Sequence, residues 1–277
     1  MFEFGIRIVL RSSSHFSEVA NMSDTKFVEL GNKKIQLTVG GSGPPLVYFH
    51  SAGGETDWFP FAEQLAKHYT VYLPAHPGFA LSTGLEETRD IYDYAWHYVD
   101  LFEKLNLTNV PIVGLSLGAW LACELAVLRP QLVSKLVLVN AAGLYVPGAP
   151  MAELFIDDLA KLRTLLFHDG ACEGASLLIP KSIEDPRVLM WLRAREATAR
   201  VGWNPYLHNP RLRQHLHRIS QPTLVLWGRH DRLIPLQHGE EYARLIPGAR
   251  LEIIEDCGHM PPFEKPAEFA AAVRRFV

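Results

Sequence analysis

At 277 residues, with 48% hydrophobic and 21% charged side chains, the chain has the composition of a globular protein able to bury a large core, which excludes a disordered or fibrous one. Its formal net charge of -3, with both signs mixed along the chain, leaves no basic face for nucleic acid and no polybasic segment for anionic lipid. No uninterrupted run of about 18 apolar residues is present to span a membrane.

Taken in chain order, residues 4–10 are apolar but carry Arg7, follow Glu3, and lack a small-residue cleavage site, so they read as the start of a cytoplasmic protein. Residues 1–21 match nothing that follows and Met22 offers a second start. Residues 1–25 are therefore expected to form an N-terminal extension. From Lys26 onward, short β-rich runs alternate with helical stretches, the pattern of a mostly parallel sheet covered on both faces. The runs 27–30 and 34–39 flank Gly31-Asn32, a turn pair that predicts an antiparallel edge hairpin. Residues 46–50, 71–74, 110–114 and 135–140 read as buried strands linked by crossover helices, and 223–227 and 250–254 resume the sheet before a closing helix over 266–276.

The stretch between Asn140 and Pro222 differs. Leu154, Phe155, Leu159, Leu162, Leu165 and Leu166 recur at helical spacing, a second helical stretch covers 184–200, and no strand is evident. An interval of about 80 residues far exceeds an ordinary connection of about 2 to 6, so 144–215 is expected to be an inserted helical cap, with 26–143 and 216–277 as the core.

Gly114-Leu115-Ser116-Leu117-Gly118 ends one predicted strand and opens the helix predicted over 117–128. A serine on so sharp a turn adopts strained backbone angles, tolerable only where its neighbours two positions away lack side chains. The turn aims the hydroxyl past the carboxyl end of the sheet, where the Leu117 N–H is placed to hold an oxygen that gains negative charge. A serine hydroxyl needs a base, and the base needs a carboxylate. Asp231 follows the strand ending at Trp227, and His259 lies in Gly258-His259-Met260-Pro261 after the next strand. Rivals are weaker. Asp256 is three residues from His259 on the same loop, Asn140 is an amide, and His230 is expected to be held by its neighbours. His50-Ser51-Ala52-Gly53-Gly54, after the first buried strand, supplies a second oxyanion N–H from Ala52, with Ser51 as the next choice.

Nothing else points to a bound metal or cofactor, and none is expected. His215-Leu216-His217 lacks a third ligand at useful spacing, and Cys123, Cys172 and Cys257 are odd in number and widely separated. Such cysteines fit a reducing compartment.

Across residues 26–277 these ordered motifs resemble the α/β-hydrolase superfamily, as does His76-Pro77-Gly78-Phe79-Ala80-Leu81-Ser82. The resemblance implies an eight-stranded, mostly parallel sheet with helices on both faces, a helical lid, and a serine hydrolase using Ser116, His259 and Asp231. Departures are Ser51 for the usual glycine after the loop histidine, Ala75 for a common aspartate and Ala80 for a common glycine. Members acting as haloalkane dehalogenases or epoxide hydrolases carry aspartate at the nucleophile position, unlike Ser116. The reading adopted is a carboxylic-ester hydrolase, with Phe155, Leu159, Trp191, Trp203, Tyr206 and Met260 as candidates to line an apolar or aromatic pocket for a small-molecule substrate. Carbon–carbon bond hydrolases of ring-cleavage products are the nearest alternative. They typically carry tryptophan directly after the histidine, where Met260 stands, but Arg193 or Arg195 offers a cation for a substrate carboxylate. A third alternative is a small-molecule receptor with weak turnover.

Overall fold

The computed structural model describes residues 23–277. The extension expected over the preceding residues lies outside that range, while residues 23–25 open the first strand. In chain order the elements are β1 (Ser23–Leu30), β2 (Lys33–Gly40), β3 (Pro45–Phe49), α1 (Pro60–Ala66), β4 (Thr70–Pro74), α2 (Ile91–Lys104), β5 (Val110–Leu115), α3 (Leu117–Leu128) and β6 (Val133–Val139). There follow α4 (Leu159–Leu166), α5 (Glu173–Leu178), α6 (Val188–Gly202), α7 (Leu212–His215), β7 (Thr223–Gly228), α8 (Leu236–Leu245), β8 (Arg250–Ile254), α9 (Pro261–Glu264) and α10 (Pro266–Phe276).

The strands form one eight-stranded sheet in the order β1-β2-β4-β3-β5-β6-β7-β8. β1, β2 and β4 pair antiparallel, turning at Gly31, while every pairing from β4 through β3 to β8 is parallel. Each parallel strand before β8 feeds a crossover to another strand, and helices on both faces force both strand faces to be apolar. The side-chain alternation shows this directly. Val47, Phe49, Ile112, Leu136, Leu138, Val225 and Trp227 pack with residues of α2, α3 and α8 on one face. Leu46, Tyr48, Val113, Val137, Val139, Leu224 and Leu226 pack with α1 and α10 on the other. Fully burying each such side chain contributes about 1.5–3 kcal/mol, and this double core holds the strand ends rigid where the loops emerge.

Residues between β6 and β7 carry four α-helices and one 3-10 turn, Leu216–Arg218. The helical stretch expected from Leu154 begins only at Leu159, because Asp158 caps it by accepting from the Ala160 and Lys161 amides. Leu154 and Phe155 lie ahead of it in an irregular segment. The stretch expected over 184–200 is α6, shifted toward Gly202, and α5 and α7 were not anticipated. This helical segment is tied to the rest of the chain. Thr198 on α6 donates to the Ala52 carbonyl at 3.2 Å, the His259 amide to the Leu166 carbonyl at 2.8 Å, and Arg232 to the carbonyls of Thr164 and Phe167. Among the described residues no helix is long and apolar enough to cross a membrane.

Candidate active site

Ser116 stands between β5 and α3 with φ 54° and ψ −110°, in the positive-φ region that a side chain rarely occupies. The flanking glycines are required by contact. A Cβ on Gly114 would lie 2.5 Å from the Gly118 carbonyl oxygen, and one on Gly118 would lie 2.2 Å from that of Phe49. Backbone bonds fix the turn. The Ser116 amide donates to Val139 on β6 at 2.9 Å, and its carbonyl accepts from the amides of Ala119, Trp120 and Ala142. Among the described residues the Leu117 N–H, at the start of α3, donates to no protein group, and it lies at the carboxyl end of β5.

His259 and Asp231 meet from separate loops, since the His259 Nδ1–H donates to Asp231 Oδ2 at 2.7 Å. Both side chains are almost fully buried. The carboxylate is held on every side. Oδ1 accepts from the Leu233 and Ile234 amides at 2.8 Å each, and Oδ2 also accepts from Asn140 Nδ2. Asn140 in turn accepts from the Gly228 amide at 3.2 Å, so it ties the Asp231 carboxylate to the end of β7. The imidazole is pinned through its own loop, where Glu264 accepts from the Gly258 amide at 2.7 Å and, across to the helical segment, from the Asp169 amide at 2.8 Å. With Nδ1 committed to the carboxylate, Nε2 is the nitrogen left for the cavity. Ser116 and His259 line that cavity together. Among the described residues the Ser116 hydroxyl makes no hydrogen bond to the ring, a separation common before substrate aligns the pair. Asp256 is exposed and lies beside His168 and His230, and among the described residues it makes no hydrogen bond to His259.

The loop after β3 carries the opposite wall. The His50 and His76 rings lie 3.7 Å apart between centroids, tilted by 34°, and their bonds identify two neutral rings. His50 Nδ1–H donates to the Ser51 carbonyl and Nε2 accepts from the His76 amide; His76 Nε2–H donates to the His50 carbonyl and Nδ1 accepts from Tyr98. Burial lowers His50 to about 4 and lowers His76 as well, consistent with that assignment. Among the described residues the Ala52 N–H has no partner. Ser51, the other candidate donor, does not, because its amide donates to Glu55 Oε2 at 3.0 Å; this corrects its expected place in the oxyanion pocket. Its hydroxyl also donates to Glu55 Oε1 at 2.6 Å and accepts from the Gly53 amide. Glu55 was missed in the sequence. It is buried, it lines the cavity, and burial pushes its carboxyl above the usual range against the pull of the Ser51 hydroxyl. The signal for it was a lone acid in a small-residue loop, four positions after the unusual Ser51.

Of the expected lining residues, Phe155, Trp191 and Met260 reach the cavity. Leu159, Trp203 and Tyr206 do not. Leu159 packs against the α1/α10 core, Trp203 is 62% exposed with its ring against Phe155, and the Tyr206 hydroxyl is spent bridging the Leu154 amide and Ala152 carbonyl. Helical periodicity locates an apolar face but not what that face meets. Leu154, Leu162, Leu166, Leu178, Ile179 and Leu233 complete an apolar wall, and Arg195 adds a cation. Its guanidinium lies 4.5 Å from the Trp191 ring centroid and 5.5 Å from that of Phe155. Arg193 is exposed.

A model of the alpha/beta hydrolase family matches residues 42–272. The chain is 30% identical to a 2-hydroxymuconate semialdehyde hydrolase of Pseudomonas sp. over 253 residues, covering 86% of this chain and 88% of that one. It is 27% identical to a pimeloyl-[acyl-carrier protein] methyl ester esterase of Nitrosomonas europaea over 258 residues, covering 86% and 97% respectively. The crystal structure of a serine hydrolase involved in carbazole degradation superposes with a TM-score of 0.77 at 25% identity, covering 92% of this chain and 98% of that one.

Proposed function

The chain belongs to the alpha/beta hydrolase family, and within that family of hydrolases we propose that it is a serine esterase cleaving carboxylic esters of small apolar or aromatic substrates through an acyl-enzyme. One observation carries the reading: the imidazole bound to Asp231 at 2.7 Å shares a cavity wall with the Ser116 hydroxyl. His259 Nε2 takes the Ser116 proton as the oxygen attacks the acyl carbon. The charge that develops on the carbonyl oxygen is held by the Leu117 and Ala52 N–H groups, and Asp231 stabilises the imidazolium. His259 returns the proton to the departing alcohol oxygen, forming the acyl-enzyme. Water, deprotonated by the same imidazole, then attacks the acyl carbon and releases the acid. Residues 144–215 act as a cap over this chemistry, supplying most of the apolar wall.

A second reading, hydrolysis of a carbon–carbon bond in a ring-cleavage product, is favoured by Arg195, a half-buried cation placed to bind a substrate carboxylate. Met260 at the position after the histidine supports the ester reading. The test is fluorophosphonate labelling with Ser116→Ala as control, followed by turnover of p-nitrophenyl esters beside a dienone acid. Labelling lost in Ser116→Ala with preferred ester turnover supports the first reading; preferred dienone turnover, reduced by Arg195→Met, supports the second. Undiminished labelling in Ser116→Ala would refute both.

A further inference from the structure

Outside the cavity, His168, His230 and Asp256 bring two imidazoles and a carboxylate together, with one ligand atom from each lying within 4.8 Å of the others. They come from three segments: the turn after α4, the β7–α8 loop and the β8–α9 loop. The two imidazole rings stack at 4.3 Å between centroids and 25° between planes. Among the described residues none of these three side chains makes a hydrogen bond or ion pair with protein, and His168 Nδ1 is buried without any partner. Three vacant donors thus converge from distant parts of the sequence, and the buried one, His168 Nδ1, lacks the partner that buried polar atoms ordinarily have.

We infer that His168, His230 and Asp256 bind one divalent transition-metal ion, which fastens the helical segment to the two loops that carry Asp231 and His259. Two imidazoles and one carboxylate suit zinc, cobalt, nickel or copper far better than magnesium or calcium. Metal–ligand bonds of about 2.0–2.2 Å put donors about 3.3 Å apart in a tetrahedral site. His230 and Asp256, both exposed, are the two side chains that would close the remaining distance. The backbone is already held. Arg232 binds the Thr164 and Phe167 carbonyls, the His259 amide binds the Leu166 carbonyl at 2.8 Å, and the His230 amide binds the Cys257 carbonyl at 2.8 Å. With three protein ligands, a fourth position stays open to water.

The experiment titrates Zn2+ alone into the full chain by calorimetry and follows thermal unfolding in parallel, with Co2+ absorption reporting coordination. One ion per chain is expected, with Tm raised by about 5 °C when free Zn2+ exceeds Kd about 100-fold. Each of His168→Ala, His230→Ala and Asp256→Ala should weaken binding by at least about tenfold and remove the Tm rise. All three should keep the metal-free turnover of the parent, which separates loss of metal from loss of fold. Binding that all three variants retain, binding abolished instead by Cys172→Ser, or no saturable binding would each overturn the assignment.

Discussion

Asp231→Asn tests the proposed mechanism at the point where the geometry dictates a particular failure. The Oδ1 position accepts from the Leu233 and Ile234 amides at 2.8 Å each, so the new side chain must keep its oxygen there. The reverse orientation would turn its NH2 against two backbone donors, at a cost of about 1–3 kcal/mol for each amide left unpaired. The NH2 therefore replaces Oδ2, facing His259 Nδ1 and Asn140 Nδ2. Donating to Nδ1, it drives the imidazole proton onto Nε2, the atom that has to accept from Ser116. A wrong tautomer of this kind lowers kcat by about 10^4-fold, or about 5.5 kcal/mol in the barrier. The contact of two NH2 groups also destabilises the fold, by about 1–3 kcal/mol. Adding Asn140→Asp gives the new amide an acceptor while still serving the Gly228 amide, so the double variant should regain stability but not activity. Steady-state ester hydrolysis, urea unfolding and 15N NMR of the imidazole read the three effects. A kcat within tenfold of the parent, or an imidazole still protonated at Nδ1 in the single variant, refutes the reasoning.

Other outcomes follow from the same geometry. The Glu55 carboxyl sits above its ordinary range because it is buried, so the folded chain binds a proton that the unfolded chain has lost. That stability is full below the ordinary carboxylate range and is lost as pH rises through the raised value. Tm measured against pH should accordingly show Glu55→Gln gaining on the parent as pH rises through that window; a pH-independent difference would contradict it. Gly118→Ala, whose Cβ meets the Phe49 and His50 carbonyl oxygens at 2.2 and 2.6 Å, should lose about 3 kcal/mol in urea unfolding, and a loss under about 1 kcal/mol would show that the turn yields. Trp191→Ala should raise KM for aromatic esters about tenfold through lost apolar contact, while Trp203→Ala, outside the cavity, should leave KM unchanged; equal effects would place the binding wall elsewhere.

Much of this protein follows from local rules that a linear sequence obeys. Two-residue alternation in the apolar strands, glycines on either side of Ser116, and the order of serine, aspartate and histidine each reflect constraints that act over a few residues or one turn. The whole of α3 and α10 was legible for the same reason, as was the hairpin of β1 and β2. Contacts between distant segments decided the rest. That Asn140 serves Asp231 depends on β6 and β7 lying side by side, and that Trp203 faces outward while Leu154 faces the cavity depends on how the 144–215 segment settles on the sheet. The meeting of His168, His230 and Asp256 has no spacing signature, because the three residues come from separate loops. A sequence fixes which side chains need partners through local chemistry; only packing across the fold chooses among partners that satisfy those needs equally well in one dimension.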